Sequence, residues 1–271
     1  MSGLHVRVFS AGRFRVPQRW VVPQGHLRVI EVPDLFALID HPIRGMGLFD
    51  TGCSELFNER TGSVSLEGYR EFTRLQITPE ETARNQLERA GVHASDIRWV
   101  VLSHLDADHT GGLRDFPGAE IYLSAAALEI ATRGGVRAAL AGRLFPRHLP
   151  DDFAARARAV PEDGPPVGKF PWSHDLFGEG TVRVVPMPGH AVGHIGALVR
   201  TDNDRTLVFC GDAVWSRAGL AERGVFHEGI AVDRRALMET RRALAQLVAA
   251  GDGVLVPSHC PVAAAELLQN P

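Results

Sequence analysis

Ile97-Arg98-Trp99-Val100-Val101-Leu102, running straight into Ser103-His104-Leu105-Asp106-Ala107-Asp108-His109-Thr110-Gly111-Gly112, is the stretch on which the reading of this chain turns. The first six residues are a largely apolar run of strand length, the pattern of a strand buried on both faces. The residues that follow place imidazoles and carboxylates at the end of that strand. His104 and Asp106 are two apart, so on an extended segment both side chains point the same way and can chelate one ion. Asp108 and His109 are adjacent, diverge, and can serve a second ion nearby.

Three more candidates stand at the ends of other strand-like runs: His190 in Met187-Pro188-Gly189-His190, Asp212 in Cys210-Gly211-Asp212, and His259 in Ser258-His259-Cys260. Small or turn-forming residues before each let backbone approach closely. Such a ligand set suits zinc, iron or manganese better than calcium, which takes all-oxygen shells. Twelve histidines against two tyrosines point the same way.

Outward from this stretch, strands are expected at His5–Ser10, Leu27–Val32, Leu35–Asp40 and Met46–Asp50, and residues 51–77 read as an irregular surface loop. Thr78-Pro79-Glu80-Glu81 is a capping box with proline at the first helical position; Ala83, Leu87 and Ala90 follow at helical spacing until Gly91. Glu120–Leu123 leads into an alanine-rich helix, Ala125–Thr132. Residues 133–180, rich in proline, glycine and aromatics, read as a lid or insert, with Phe170 and Trp172 as candidate substrate contacts. Strands resume at Thr181–Pro186, Ile195–Arg200, Thr206–Cys210 and Val254–Pro257, and Asp233 caps a long amphipathic helix. Two groups of strands, each leading to helices, predict an α+β four-layer sandwich in one domain over residues 1–271.

Composition narrows the function. At 45% hydrophobic residues and a net charge of −3, the chain has a core and no basic excess, which argues against nucleic acid. No apolar run approaches the roughly 20 residues of a membrane span. The start of the sequence lacks a signal-peptide pattern, and Cys53, Cys210 and Cys260 form no CxxC, so reduced thiols and a cytoplasmic location are expected.

HLDADH (104–109), the histidine of PGH (190), the aspartate of GD (212) and the histidine of SH (259) resemble the metal motifs of the metallo-β-lactamase superfamily, in its order. Phe49-Asp50-Thr51-Gly52 resembles its FDTG turn, whose aspartate braces the metal loop. The resemblance runs from about residue 5 to 262, and the stretches 34–52 and 188–194 are most similar to the N-acyl-homoserine lactone lactonases. It implies the αβ/βα sandwich and two divalent ions. His104, Asp106 and His190 would hold the first, and Asp108, His109 and His259 the second, with Asp212 bridging. Zinc is the first expectation, with iron or manganese as alternatives. The implied reaction is attack of a metal-bridging hydroxide on a lactone or carboxylic ester, with Asp108 orienting the nucleophile and relaying a proton. A monomer or homodimer acting on a small molecule is expected.

Two positions depart from the pattern. Asp106 replaces the second histidine of HxHxDH, adding a negative charge and favouring a harder metal; the flavodiiron proteins resemble this with a glutamate there. Trp215 stands where the lactone-opening relatives carry a substrate-contacting tyrosine; its indole N–H can donate but not accept, and it is expected to contact the substrate and help hold the oxyanion. His194 is expected to brace a ligand, His227 is a candidate pocket residue, and His148 and Cys260 are expected to be structural. Thioester or organophosphate hydrolysis, and an iron-dependent redox or sensing role, are the alternatives.

Overall fold

A computed structural model of the chain describes residues 3–59, 64–133, 143–220 and 229–268. Strand β2 (Val29–His41) shows how the layers arise. Along it Phe36 and Leu38 belong to one buried cluster, and Leu35, Ala37 and Ile39 to another. A strand alternates its side chains across the sheet, so a strand apolar at successive positions must be covered on both faces.

The first sheet runs β1 (His5–Pro17), β2, β3 (Gly45–Phe49), β4 (Ile97–Val101), β5 (Glu120–Leu123) and β6 (Ala157–Ala159) in spatial order. The second runs β11 (Val254–Pro257), β10 (Thr206–Gly211), β9 (Ile195–Arg200), β8 (Val182–Pro186) and β7 (His174–Asp175). Between them lies one core: Ala37, Ile39, Phe49 and Val101 from the first sheet meet Val184, Ala197, Val199 and Phe209 from the second. Phe49 and Phe209 stack across it at 5.2 Å. Helices α2 (Ala83–Arg89) and α4 (Ala125–Arg133) cover the outer face of the first sheet through Leu87 and Ala127. Helix α6 (Arg234–Ala249) covers the second with Ala243, Leu244 and Leu247. The expected four-layer α+β sandwich is the observed architecture.

The topology decides where the polar clusters gather. Strands β3, β4 and β5 are parallel, so they end on the same edge. Strand β10 is parallel to β11 and antiparallel to β9, which is antiparallel to β8; β8, β10 and β11 therefore also run one way. The metal-ligand candidates follow the ends of β4, β8, β10 and β11. Gly189 allows one close approach: at φ +128°, a side-chain carbon there would lie 2.1 Å from the backbone nitrogen of Leu237 in α6.

Several boundaries differ from the sequence expectation. The two expected strands 27–32 and 35–40 are one, β2, continuous through Pro33. Proline cannot donate to a ladder, and it is tolerated here because β1 bulges between Ser10 and Arg13, opposite this point. Within 51–77 the chain forms helix α1 (Val64–Thr73), not an uninterrupted loop. Its polar composition and central Gly68 hide the period, while Phe72 stacks on Trp20 at 5.1 Å, a contact made only in the fold.

The described part of 133–180 is woven into both sheets. It includes short helix α5 (Phe153–Arg156) and strands β6 and β7 at the two edges. Its His148 is buried, tilted against Phe57 and Phe145 at ring distances of 6.4 and 5.9 Å. Burial pushes the His148 imidazole down to about 4 despite a hydrogen bond with the backbone of Ala107. A histidine whose folded value is depressed is neutral in the fold, and stability is complete above the unfolded value. It is lost as pH falls from the ordinary imidazole value of 6.5 towards 4, by roughly 3 kcal/mol at the lower end. Denaturant unfolding at pH 7.5 and pH 4.5 is therefore expected to show a smaller acid loss for His148→Phe than for the wild-type chain. Equal losses would show that the ring is not held neutral.

Candidate metal centre

The centre is assembled around Asp50, which follows β3. Asp50 is buried, and its carboxylate accepts three bonds: from the Ser103 backbone N–H at 2.7 Å, the Ser103 hydroxyl at 2.8 Å, and His109 Nδ1 at 2.7 Å. The hydroxyl of Ser103 lies 2.9 Å from His104 Nδ1, which donates to it. Both imidazoles thus carry their proton on Nδ1, leaving Nε2 to face the centre. His259 is oriented in the same way, its Nδ1 donating to Pro33 O at 2.9 Å.

The ligating atoms converge in two groups. In one, atoms of Asp108, His109, Asp212 and His259 lie within 4.8 Å of one another; in the other, atoms of His104, His190 and Asp212 do. Asp212 belongs to both. Asp106 Oδ2 stands beside the second group, 3.5 Å from His104 Nε2 and 3.5 Å from His190 Nε2. Buried polar groups ordinarily find partners, yet His104 Nε2, His109 Nε2 and Asp212 Oδ1 have no hydrogen bond. Orphaned imidazole nitrogens beside an orphaned carboxylate oxygen fit divalent ions. The residues present therefore fit metal: Asp108, His109 and His259 could hold one ion and His104 and His190, with Asp106 beside them, another, Asp212 lying between.

The electrostatics follow from burial and mutual charge. Burial would raise the carboxyls of Asp106, Asp108 and Asp212, but neighbouring positive groups prevail. Arg143 and His104 hold Asp106 well below the usual range, as His259 and His109 do Asp212, and His109 lowers Asp108. Burial would lower His109 and His259, but the aspartates facing them raise both. His190 is pushed down to about 4 by burial and by Arg143.

Above the centre lies a pocket with an apolar wall of Phe14, Val16, Val32, Trp20, Phe72 and Trp215 and a floor of Asp106, Asp108, His190, Asp212 and His259. Phe14 and Trp215 each meet the His259 ring edge-on, at 4.8 and 5.6 Å.

All seven candidate ligands lie in this centre. Trp215 does too, but its indole N–H donates to Asp212 Oδ2 at 2.7 Å, so it braces the shared carboxylate while the ring lines the pocket. His194 braces the same residue from the other side, its Nε2 accepting from the Asp212 backbone N–H at 3.1 Å. Cys260 is buried and caps the last helix, its sulfur accepting from Ala263 N.

Phe170 and Trp172 are not among the pocket residues. Phe170 is buried with Val185, Met187 and Leu247 beneath α6, and Trp172 packs on the core between the sheets. Phe170 is consumed by core packing and Trp172 is partly buried against the core, and neither lines this pocket, which corrects the expectation that they touch substrate there. His227 lies outside the described residues. Sequence reading missed the wall from β1, β2 and α1, whose aromatics are scattered over some sixty positions. It also missed Arg143, whose charge opposite the anomalous Asp106 was the one available signal.

The comparisons with known proteins agree with this geometry. The family model described as the metallo-beta-lactamase superfamily matches residues 48–259. The chain is 35% identical over 202 residues to probable metallo-hydrolase Rv2300c of Mycobacterium tuberculosis, covering 73% of this chain and 59% of that protein's length. It is 27% identical over 201 residues to the N-acyl homoserine lactonase AttM of Agrobacterium fabrum, covering 71% and 69% of the two chains. Among solved structures, an N-acyl homoserine lactone hydrolase with N-hexanoyl-L-homoserine at its metal centre aligns with a TM-score of 0.70 at 17% identity, over 98% of this chain and 97% of its own. The dizinc lactonase AidC aligns at 0.67 and 18% identity, over 96% and 89%. With the family's motifs at the strand ends and its model spanning both sheets, this chain belongs to the metallo-β-lactamase superfamily.

Proposed function

We propose that this chain opens a lactone or carboxylic ester at a two-metal site, zinc being the ion proposed. The observation that carries the reading is the shared Asp212: two groups of buried ligands meet on one carboxylate at the floor of an apolar pocket. Bound there, divalent ions would supply a nucleophile from water at neutral pH and polarise a carbonyl. The named activities of AttM and of the aligned lactone hydrolase support the substrate class.

The chain's own residues divide the remaining work. Phe14, Trp20 and Phe72 take up an apolar acyl or aryl arm and exclude water from the floor. Asp108, kept ionised by His109 and His259, is placed to accept the proton of the attacking water and return it to the leaving alkoxide as the C–O bond breaks. Trp215 and His194 hold Asp212 from two sides.

Elemental analysis and a panel of lactones, esters, thioesters and phosphotriesters test the reading. Two ions per chain and turnover of lactones or esters with apolar arms are expected, with His109→Ala losing about a thousandfold or more in kcat/KM. Turnover confined to thioesters or phosphotriesters, or no hydrolysis by a chain holding two ions, would overturn it. Asp50→Asn replaces an acceptor by a donor opposite His109 Nδ1 and Ser103. It is expected to weaken the ion held by His109 about 10- to 100-fold in a chelator competition; unchanged affinity would show that the brace is dispensable.

A further inference from the structure

Arg143 has a backbone φ of +52°, in the left-handed region that non-glycine residues seldom adopt. Its guanidinium reaches into the centre and ties three segments together. Nε donates to Asp106 Oδ1 at 3.0 Å, Nη1 to the Ile230 carbonyl at 3.2 Å, and Nη2 to the His190 carbonyl at 3.1 Å. Nη2 also lies 2.7 Å from His190 Nε2, an atom through which His190 would hold an ion. The two oxygens of Asp106 therefore have different surroundings: Oδ1 is bound by Arg143, while Oδ2 faces His104 and His190 at 3.5 Å each.

We propose that Arg143 is a positioning residue for the first metal position, the built-in counter-charge of Asp106 that holds one carboxylate oxygen and leaves the other for the ion. The inference rests on the two-metal reading above. A carboxylate and a guanidinium together carry no net charge, as the neutral imidazole of HxHxDH carries none. The pair thus restores the charge balance of the usual site with different atoms. Because the guanidinium would stand beside an ion held there, and its Nη2 competes for the one lone pair of His190 Nε2, it also opposes that ion's binding. Charges this close, in a buried site, act strongly on each other.

The signs make the test specific. Zinc affinity at the first position would be measured by competition with a chromophoric chelator, and cobalt(II) absorption would report its coordination. Arg143→Met, which removes a positive charge, is expected to tighten that position about tenfold. Asp106→His with Arg143 retained leaves the guanidinium unpaired against the ion and is expected to weaken it by about tenfold or more. The double variant should return to within about threefold of the wild-type chain, and Arg143→Lys should stay near it. The position of Asp108, His109 and His259, unmoved throughout, serves as the check that each variant is folded. Weaker or unchanged zinc binding in Arg143→Met, or a double variant weaker than Asp106→His alone, would reduce Arg143 to a structural tie. If the wild-type chain still held two ions and hydrolysed its ester, the proposed function would stand without it. A wild-type chain binding one ion at Asp108, His109 and His259 alone would remove both.

Discussion

Five carboxylates, Asp34, Asp50, Asp106, Asp108 and Asp212, are buried in one cluster, and the rest of the structure answers to that concentration of charge. A carboxylate removed from water is costly unless it is paired and hydrogen-bonded. Here four are opposed, Asp50 by Ser103 and His109, Asp106 by Arg143, and Asp108 and Asp212 by His109 and His259, while burial pushes the Asp34 carboxyl well above the usual range. The arrangement is reciprocal. The bond that satisfies Asp50 fixes the tautomer of His109 and turns its other nitrogen toward Asp108 and Asp212, where a metal can meet both.

Such precision requires rigid supports, and the two sheets provide them. The carboxylates and imidazoles sit just past strands whose own positions are set by cores on both faces. Ser103 is one residue that links the sheets at this edge: its backbone donates to Asp50, and its carbonyl accepts from Ile195 of the opposite sheet at 2.9 Å. His259 is pinned by Pro33 across the same edge. Pro33, which β2 carries opposite the β1 bulge, therefore also presents its carbonyl to a metal-ligand candidate. A displacement of one sheet relative to the other would separate His104 and His109 from Asp212 and His259.

The apolar wall beside this polar floor has a chemical consequence. Charges bordered by Phe14, Val32 and Trp215 interact through a medium less polarisable than water, which strengthens their hold on each other and on whatever ion or carbonyl lies between them. Trp215 serves both sides at once, its ring in the wall and its N–H on Asp212. The usual tyrosine could serve as donor and acceptor; the indole gives up the second role and holds the shared ligand instead.

The four layers were legible in the sequence because they rest on local patterns: apolar runs at 97–102, 195–200 and 206–210 have the length of strands covered on both faces, and Asp233 and Gly91 punctuate helices by short-range chemistry. The ligand set was legible because His104, Asp106, Asp108 and His109 share one segment, and because turn residues flag the strand ends at 190, 212 and 259. What the sequence could not supply was anything decided by juxtaposition. Helix α1 takes its place from Phe72 meeting Trp20, residues fifty positions apart. Phe170 and Trp172, aromatic and surrounded by prolines, look like substrate contacts until the packing of α6 and of the two sheets claims them. Arg143 becomes the partner of Asp106 only when a residue thirty-seven positions away is carried into the centre. Spacing along the chain determines which side chains share a face; only the closing of the two sheets determines which charges must balance one another.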